Sequence, residues 1–186
     1  MSKPLICILG RSGSGKNYIA NKLIRKGYTS VKSFTTRPMR PNDENDINTH
    51  TFITPDRVSD YNDDIVADTY FNGAYYFATR QQLNCADIYI LDEEGLNQVL
   101  NNYTERDILS FYIECDSSIC AERMSKRGDA DRDIMKRLQH DSEAFAHTKH
   151  ICDFICPNET QEDANDIVDF IEKVLAYYNP RRNKND

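Results

Sequence analysis

The chain has 186 residues, of which 39% are hydrophobic, and a formal net charge of −7. This size suits one compact domain with a small insertion, and the longest apolar run is too short to span a bilayer. Without a signal-peptide pattern and with an acidic balance, we expect a cytoplasmic protein without nucleic-acid or membrane partners, whose oligomeric state the sequence leaves open.

The first predicted elements are a buried strand at residues 3–9 and a helix at residues 15–26 that ends at Gly27. Between them lies a phosphate-binding loop, Gly10-Arg11-Ser12-Gly13-Ser14-Gly15-Lys16-Asn17. Its glycines let backbone N–H groups turn toward a phosphate, and Lys16 can reach the terminal phosphates of a nucleotide such as ATP. The position after the lysine usually carries Ser or Thr as an Mg²⁺ ligand. Because the amide oxygen of Asn17 is also a neutral oxygen ligand, we expect weakened rather than lost Mg²⁺ binding.

A second candidate phosphate-binding motif follows in the segment Ser33-Phe-Thr-Thr-Arg37-Pro-Met-Arg40. Two arginines three residues apart, in an extended segment before prolines, can converge on one phosphate with bidentate geometry. Short strands are predicted at residues 51–54, 65–67 and 74–78. They would form a small β-rich insertion rather than another crossover helix.

The rest of the chain alternates predicted strands with helices. Strands are predicted at residues 88–91, 108–113 and 154–156, and Ala164, Ile167, Val168, Ile171, Val174 and Leu175 mark one face of a closing helix. This alternation predicts an α/β fold with a mostly parallel sheet covered by helices on both faces. The six cysteines form no C-x-x-C pair and are expected to be reduced and mostly buried.

A basic segment interrupts this acidic chain between the last two predicted strands. It carries six basic residues in the fifteen positions from Arg123 to Arg137. Transfer of a phosphoryl group between two phosphates needs alignment of the reactants, exclusion of water and cations around the transferring group. Arginines on a flap that closes over a nucleotide supply both charge and exclusion, so we interpret this segment as a mobile lid.

Taken together, these motifs resemble the guanylate kinase family in order and spacing, from about residue 3 to residue 178. The Gly73-Ala-Tyr-Tyr76 turn and Ile90-Leu-Asp92 belong to the same resemblance. It implies a core of residues 1–32, 81–125 and 145–178, an NMP-binding insertion of residues 33–80 and a helical lid of residues 126–144, before a disordered tail at 179–186. It also implies Mg²⁺-dependent phosphoryl transfer from ATP to a nucleoside monophosphate, with GMP or dGMP as the best candidate.

The resemblance also implies roles for individual residues. Residues Gly10 to Asn17 would bind ATP, with Asn17 as the weak Mg²⁺ ligand, and Phe52 and Glu44 fit the loop that joins the phosphate arginines to the small sheet. His50 stands where the family has a tyrosine on the acceptor phosphate, and an imidazole can still donate to phosphate. Catalysis would rest on Lys16, Arg37, Arg127 and Arg137, and acceptor binding on Ser33, Arg37, Arg40, His50, Asp68, Tyr76 and Asp92.

Two departures affect the identity of the acceptor. Ala67 stands where the family has a guanine-reading glutamate, and Ala78 replaces a small hydroxyl residue. Each loss leaves a polar group of guanine unpaired, at a cost of about 1–3 kcal/mol. Either Asp68, Asp92 or Glu94 takes over, or the acceptor is not guanine. A related kinase of another phosphate ester, such as ribose 1,5-bisphosphate, is the alternative; a phosphopeptide-binding module would be expected to have a degraded phosphate-binding loop.

Overall fold

The computed structural model describes residues 3–39, 49–71 and 73–178, so Arg40, Glu44 and the tail after residue 178 lie outside the described residues. In chain order the strands are β1 (Leu5–Gly10), β2 (Ser33–Thr35), β3 (His50–Phe52), β4 (Ile65–Phe71), β5 (Ala74–Thr79), β6 (Ile88–Ile90), β7 (Ile108–Glu114) and β8 (Phe154–Pro157). The α-helices are α1 (Lys16–Arg25), α2 (Arg80–Cys85), α3 (Glu93–Asn102), α4 (Ser117–Arg127), α5 (Asp131–Ala144), α6 (Thr148–Ile151) and α7 (Gln161–Tyr177), and a 3₁₀ helix spans Pro55–Asp64. No helix in the described ranges has the length and apolarity needed to cross a bilayer.

The central sheet has the strand order β6-β1-β7-β8, and all its pairs are parallel. Strand β1 lies inside the sheet and all six of its residues are buried, which explains its uninterrupted apolar sequence. Because parallel strands end at the same edge, the segments after β1, β6 and β8 meet at one side of the sheet. The predicted parallel α/β architecture is confirmed.

Helices cover both faces of this sheet. On one face α1 and α7 share an apolar core with β1 and β7, in which the predicted stripe of α7 is buried at Ala164, Ile167, Val168 and Ile171. On the other face, α3 packs through Leu96 and Val99. The N-termini of α3, α4 and α7 are capped by Asp92, Asp116 and Thr160, respectively, which satisfy backbone N–H groups of the first turn.

The insertion forms a second, mixed sheet with the order β3-β2-β5-β4. Strands β2 and β3 are parallel, whereas β5 is antiparallel to both β2 and β4. The predicted insertion of short strands is confirmed, but the strand predicted at 65–67 extends to Phe71 because β4 pairs along its length with β5. The division of the chain into core, insertion and lid by residue number stays a prediction.

All six cysteines are free thiols, and four of them, Cys7, Cys115, Cys120 and Cys156, are buried. Burial raises the pKa of Cys156 to about 11 and that of Cys120 to about 12. The thiolate form is therefore disfavoured at these positions, and the buried thiols act as small apolar side chains. This matches the predicted mostly buried thiols.

Candidate functional site

The phosphate-binding loop connects the end of β1 to α1 and packs closely against neighbouring elements. Gly13 has φ 79°, and a Cβ there would lie 2.5 Å from the carbonyl oxygen of Cys120. Gly15 has φ 97°, and a Cβ there would lie 2.3 Å from Nδ2 of Asn158. Both positions therefore require glycine for its backbone conformation and for its lack of a side chain.

Side chains from two other parts of the chain donate hydrogen bonds to the backbone carbonyl groups of this loop. Nδ2 of Asn158 donates to the carbonyl of Ser14 at 2.7 Å, and Nη1 of Arg123 donates to the carbonyls of Gly13 and Ser14 at 3.4 Å each. In a trans peptide the N–H points opposite to the carbonyl. Since the Ser14 carbonyl points to Asn158, the N–H of Gly15 points to the inner side of the loop, where a phosphate would bind.

Arg123 extends this support to the end of β8. It donates to the backbone carbonyls of Asn158 at 3.1 Å and Glu159 at 3.0 Å. From the sequence, Arg123 was only one of the cations of the basic segment, without a role of its own, and Asn158 was missed. The available signal for Asn158 was its position directly after a core strand, at the sheet edge where the loop lies.

Lys16 is surrounded by charges from two helices. Its Nζ donates to the carbonyl of Arg11 at 3.1 Å. Burial lowers the pKa of Lys16 to about 8; the Asp141 carboxylate opposes this shift, while Arg127 and Arg137 add to it. The two arginines therefore favour the uncharged form of Lys16, and Asp141 favours its charged form.

Asp141 reaches the loop directly, although no sequence pattern gave it a role. The backbone N–H of Ser12 donates to Oδ2 of Asp141 at 2.6 Å, and Asp141 is only 5% exposed. It follows Arg137 by four residues on α5, so both side chains lie on the same face of that helix. That face is thereby directed toward the phosphate-binding loop.

The two arginines of the predicted lid share one acidic residue. Nε of Arg127 donates to Oδ1 of Asp129 at 2.9 Å, and Nη2 of Arg127 donates to Oδ2 at 2.5 Å. Nε of Arg137 lies 4.0 Å from the same Oδ2. Asp129, between α4 and α5, thus brings together the two lid arginines that are predicted to take part in catalysis.

A cleft of about 160 Å³ opens on the small sheet, bordered by residues of β2 to β6 and by the start of α3. Strand register places Ser33, His50 and Tyr76 on the same sheet face. The Ser33 Oγ and His50 Nδ1 atoms are 3.0 Å apart, and the ring centroids of His50 and Tyr76 are 5.6 Å apart. Three predicted acceptor-binding side chains are therefore brought together in the cleft.

Arg37 is the second residue after β2 and lies beside this face. Its backbone N–H donates to Oγ1 of Thr35 at 3.1 Å, and its Nη1 donates to the carbonyl of Pro38 at 2.8 Å. The guanidinium carbon lies 5.5 Å from the centre of the Phe52 ring. These contacts hold the guanidinium close to the chain that carries Ser33 and His50.

Two residues that bear on the identity of the acceptor lie on β4 and β5, and one of them, Ala67, borders the cleft. Ala67 and Ala78 face each other across β4 and β5 and are 2% and 0% exposed. Asp68 borders the cleft, but it shares the sheet face of Phe77 rather than that of Tyr76, and its carboxylate accepts from the Tyr75 hydroxyl at 2.5 Å. The role of Asp68 in substrate binding stays a prediction, and a substrate would have to share this carboxylate with Tyr75.

Asp92 is the second residue after β6 and borders the same cleft. One of its carboxylate oxygens caps α3 by accepting from the backbone N–H of Gly95 at 2.8 Å. Glu94 is exposed in the first turn of α3. Of the two, Asp92 is therefore better placed to meet a bound acceptor.

Two consecutive residues of α5 contact the small sheet and the phosphate-binding loop. The His140 ring lies 4.9 Å from the ring of Phe71, at the tip of the small sheet, while Asp141 bonds the loop. The N–H of Leu91, which lines the cleft, donates to the carbonyl of Ile8 in β1 at 3.3 Å. The two parts therefore lie at the same edge of the central sheet.

Replacement of Gly15 with alanine is expected to lower the free energy of unfolding by about 2 kcal/mol or more, because it adds steric conflict with Asn158 to the strain of positive φ. Chemical denaturation measures this loss. Gly27→Ala is the matched control, since Gly27 has φ 101° but no atom lies within 4 Å of the position that its Cβ would take. Equal losses in the two variants would show that the Asn158 contact is unimportant.

A family model described as "AAA domain" matches residues 6–146, whereas no curated protein matches the chain. Among solved structures, guanylate kinase from Anaplasma phagocytophilum has a TM-score of 0.69 at 20% identity, covering 94% of this chain and 86% of that one. An uncharacterized protein from Eubacterium ventriosum has a TM-score of 0.51 at 14% identity, covering 94% and 99%. The protein is thus a member of the AAA domain family, with a fold like that of guanylate kinase.

Proposed function

We propose that this protein is a nucleotide kinase that transfers a phosphoryl group from ATP to a nucleoside monophosphate. The observation that carries this proposal is the pairing of two anion-binding regions by one helix. Asp141 contacts the phosphate-binding loop while His140 contacts the sheet that presents Ser33 and Tyr76. A kinase acting between two phosphates needs such a pairing, because positioning and charge supply most of its catalysis.

Each group of residues has a distinct task in this proposal. Lys16 and the inward N–H of Gly15 hold the donor phosphates, and Ser33, His50, Tyr76 and Arg37 hold the phosphate of the acceptor. Arg127 and Arg137 neutralise the charge on the group in transfer. The acceptor oxygen is already anionic, so the reaction requires no general base.

The donor side also suits Mg²⁺ with ATP. Asn17 is exposed in the first turn of α1, next to Lys16, and its amide oxygen is a hard ligand. Residues 3–39, 49–71 and 73–178 contain no cluster of three His, Cys, Asp or Glu side chains suited to a metal. This fits an ion that binds mainly through substrate phosphates, with Asn17 as its protein ligand. The bound ion would neutralise phosphate charge.

Asn17→Thr is expected to raise activity at low Mg²⁺, since it restores a hydroxyl ligand at this exposed position. The Mg²⁺ concentration for half-maximal rate should fall several-fold, while the rate at saturating Mg²⁺ changes little. A Mg²⁺ titration of initial rates measures the effect. An unchanged or higher Mg²⁺ requirement would contradict the role given to Asn17.

GMP or dGMP is the proposed acceptor, and a second candidate is another phosphate ester or a non-guanine nucleotide. The second candidate is favoured by the buried apolar pair Ala67 and Ala78 and by the bond of Asp68 to Tyr75. An acceptor with fewer polar groups next to Ala67 would leave fewer of its hydrogen-bonding groups unpaired. The phosphate-binding side chains serve both candidates equally.

ADP release should therefore be assayed with GMP, dGMP, AMP, dAMP, CMP, UMP, dTMP and ribose 1,5-bisphosphate. Turnover with a guanine nucleotide alone would support the first candidate, and turnover with ribose 1,5-bisphosphate alone would support the second. Failure with every acceptor, together with no affinity for Mg-ATP at millimolar concentration, would contradict the kinase proposal in favour of a binding module.

A further inference from the structure

One peptide group of the phosphate-binding loop makes hydrogen bonds on both of its sides. The N–H of Ser12 donates to Oδ2 of Asp141 at 2.6 Å. The carbonyl of Arg11, in the same peptide group, accepts from Nζ of Lys16 at 3.1 Å and from the N–H of Ser14 at 3.0 Å. Because the N–H and C=O of a trans peptide point in opposite directions, Asp141 lies on one side of this group and Lys16 on the other.

These three hydrogen bonds fix the orientation of the peptide group, because they use its one donor and both lone pairs of its acceptor. The bond to Asp141 is charge-assisted and is therefore the strongest link on the N–H side. Without the carboxylate, the N–H of Ser12 would lose its acceptor. Rotation of the peptide group toward another acceptor or water would then turn the carbonyl of Arg11 away from Lys16.

Asp141 is itself held in place by the protein core. The next turn of the chain ends at Phe145, which is buried and stacks on Tyr112 of β7 with ring centroids 6.3 Å apart. The N–H of Phe145 donates to the carbonyl of Asp141 at 3.2 Å, and Asp141 is buried as well. The carboxylate that binds the loop therefore belongs to a part of α5 that is anchored in the core.

We propose that Asp141 is a positioning residue that acts on donor binding through Lys16. By accepting from Ser12 it fixes the peptide group whose Arg11 carbonyl holds the lysine ammonium in the loop. This inference rests on the proposed kinase function, in which Lys16 binds the donor phosphates. An ammonium has three N–H donors, so Lys16 can bond to Arg11 and to phosphate oxygens together. A lysine that is already held in place loses less side-chain entropy when the donor binds.

The test is a double-mutant cycle between Asp141 and Lys16, in which calorimetry measures the Kd of Mg-adenylyl imidodiphosphate, a non-hydrolysable ATP analogue. Asp141→Ala should raise this Kd about tenfold in the wild-type background but less than about twofold in the Lys16→Met background, where the lysine through which Asp141 acts is missing. Asp141→Asn keeps an oxygen that can accept from Ser12, so its Kd should stay within about threefold of the wild-type value. Asp133→Ala is the matched control, since it removes an exposed carboxylate from the same helix and should leave the Kd unchanged in both backgrounds.

Thermal unfolding first establishes that each variant is folded, and Asp141→Leu, which fills the space without an acceptor, replaces the alanine variant if that variant is unfolded. Equal weakening in both backgrounds would overturn the inference, because Asp141 would then hold the loop without acting through Lys16. A loss of affinity in Asp141→Asn as large as that in Asp141→Ala would overturn it too, because the negative charge rather than the acceptor for Ser12 would be responsible. If the wild-type protein bound no nucleotide, the proposed function itself would fall, whereas additive effects in a protein that binds nucleotide would overturn this inference alone.

Discussion

Arg137→Ala is expected to lower kcat by about 10³-fold, while the KM values for both substrates change by less than about fivefold. Arg137 and Arg127 meet at Asp129, and both act electrostatically on Lys16. An arginine that stabilises charge on the transferring phosphoryl group contributes more in the transition state than in the ground state. Steady-state kinetics with ATP and the acceptor identified by ADP release measures the two parameters separately.

Two further variants show whether the effect is specific to Arg137. Arg132→Ala removes an exposed positive charge from the same helix and should leave kcat within about twofold. Arg137→Lys keeps the charge but loses the planar fork, so its kcat should lie between those of wild type and the alanine variant. A large rise in KM with unchanged kcat would instead show that Arg137 contributes only to ground-state binding.

The parts of the fold that the sequence predicted correctly depend on local patterns. The apolar run of β1, the glycines of the loop and the periodicity of α7 each lie within one short stretch of chain. The extent of β4 was missed because Asp68 and Thr69 interrupt its apolar pattern. Their strand conformation comes from pairing with β5, which contributes Phe77 and Tyr76 opposite them.

The candidate site was predicted least well where distant residues meet. Asp141 contacts Ser12 across 129 positions of sequence, and Asn158 contacts Ser14 across 144 positions. No local spacing links such residues, and an Asp on a polar helix is usually a solvated surface residue. The residues of the loop itself were predicted because glycines and a lysine at fixed spacing have a direct physical meaning for phosphate binding.

The sheet face on which the Asp68 side chain lies could not be predicted from its position in the sequence alone. The sequence places it beside Ala67, next to a cleft, and a carboxylate there could read the acceptor. Side-chain direction, however, alternates along a strand, so neighbours such as Ala67 and Asp68 face opposite sides of the sheet. The register of β4 with β5 determines which side each residue faces, and the Tyr75 hydroxyl then becomes the partner of Asp68.

Arg123→Ala is expected to reduce both stability and donor binding, because one side chain holds the loop and the end of β8 together. The variant would leave carbonyls of Gly13, Ser14 and Asn158 with fewer donors. We expect the free energy of unfolding to fall by about 3 kcal/mol and kcat/KM for ATP to fall about 10²-fold. Denaturant titration and steady-state kinetics measure these two quantities.

The controls separate the loss of loop geometry from the general loss of a charge on α4. Lys126→Ala removes an exposed cation whose ion pair with Glu122 lies at the surface, and it should change the free energy of unfolding by less than about 0.5 kcal/mol. Arg123→Lys keeps a charge, but a single ammonium cannot reproduce the fork that reaches both the loop and Glu159. It should recover part of the stability and little of the ATP affinity. If Arg123→Ala lost stability while binding ATP as well as the wild type, the inward direction of the Gly15 N–H would not depend on Arg123, and Asn158 alone would be sufficient to set it.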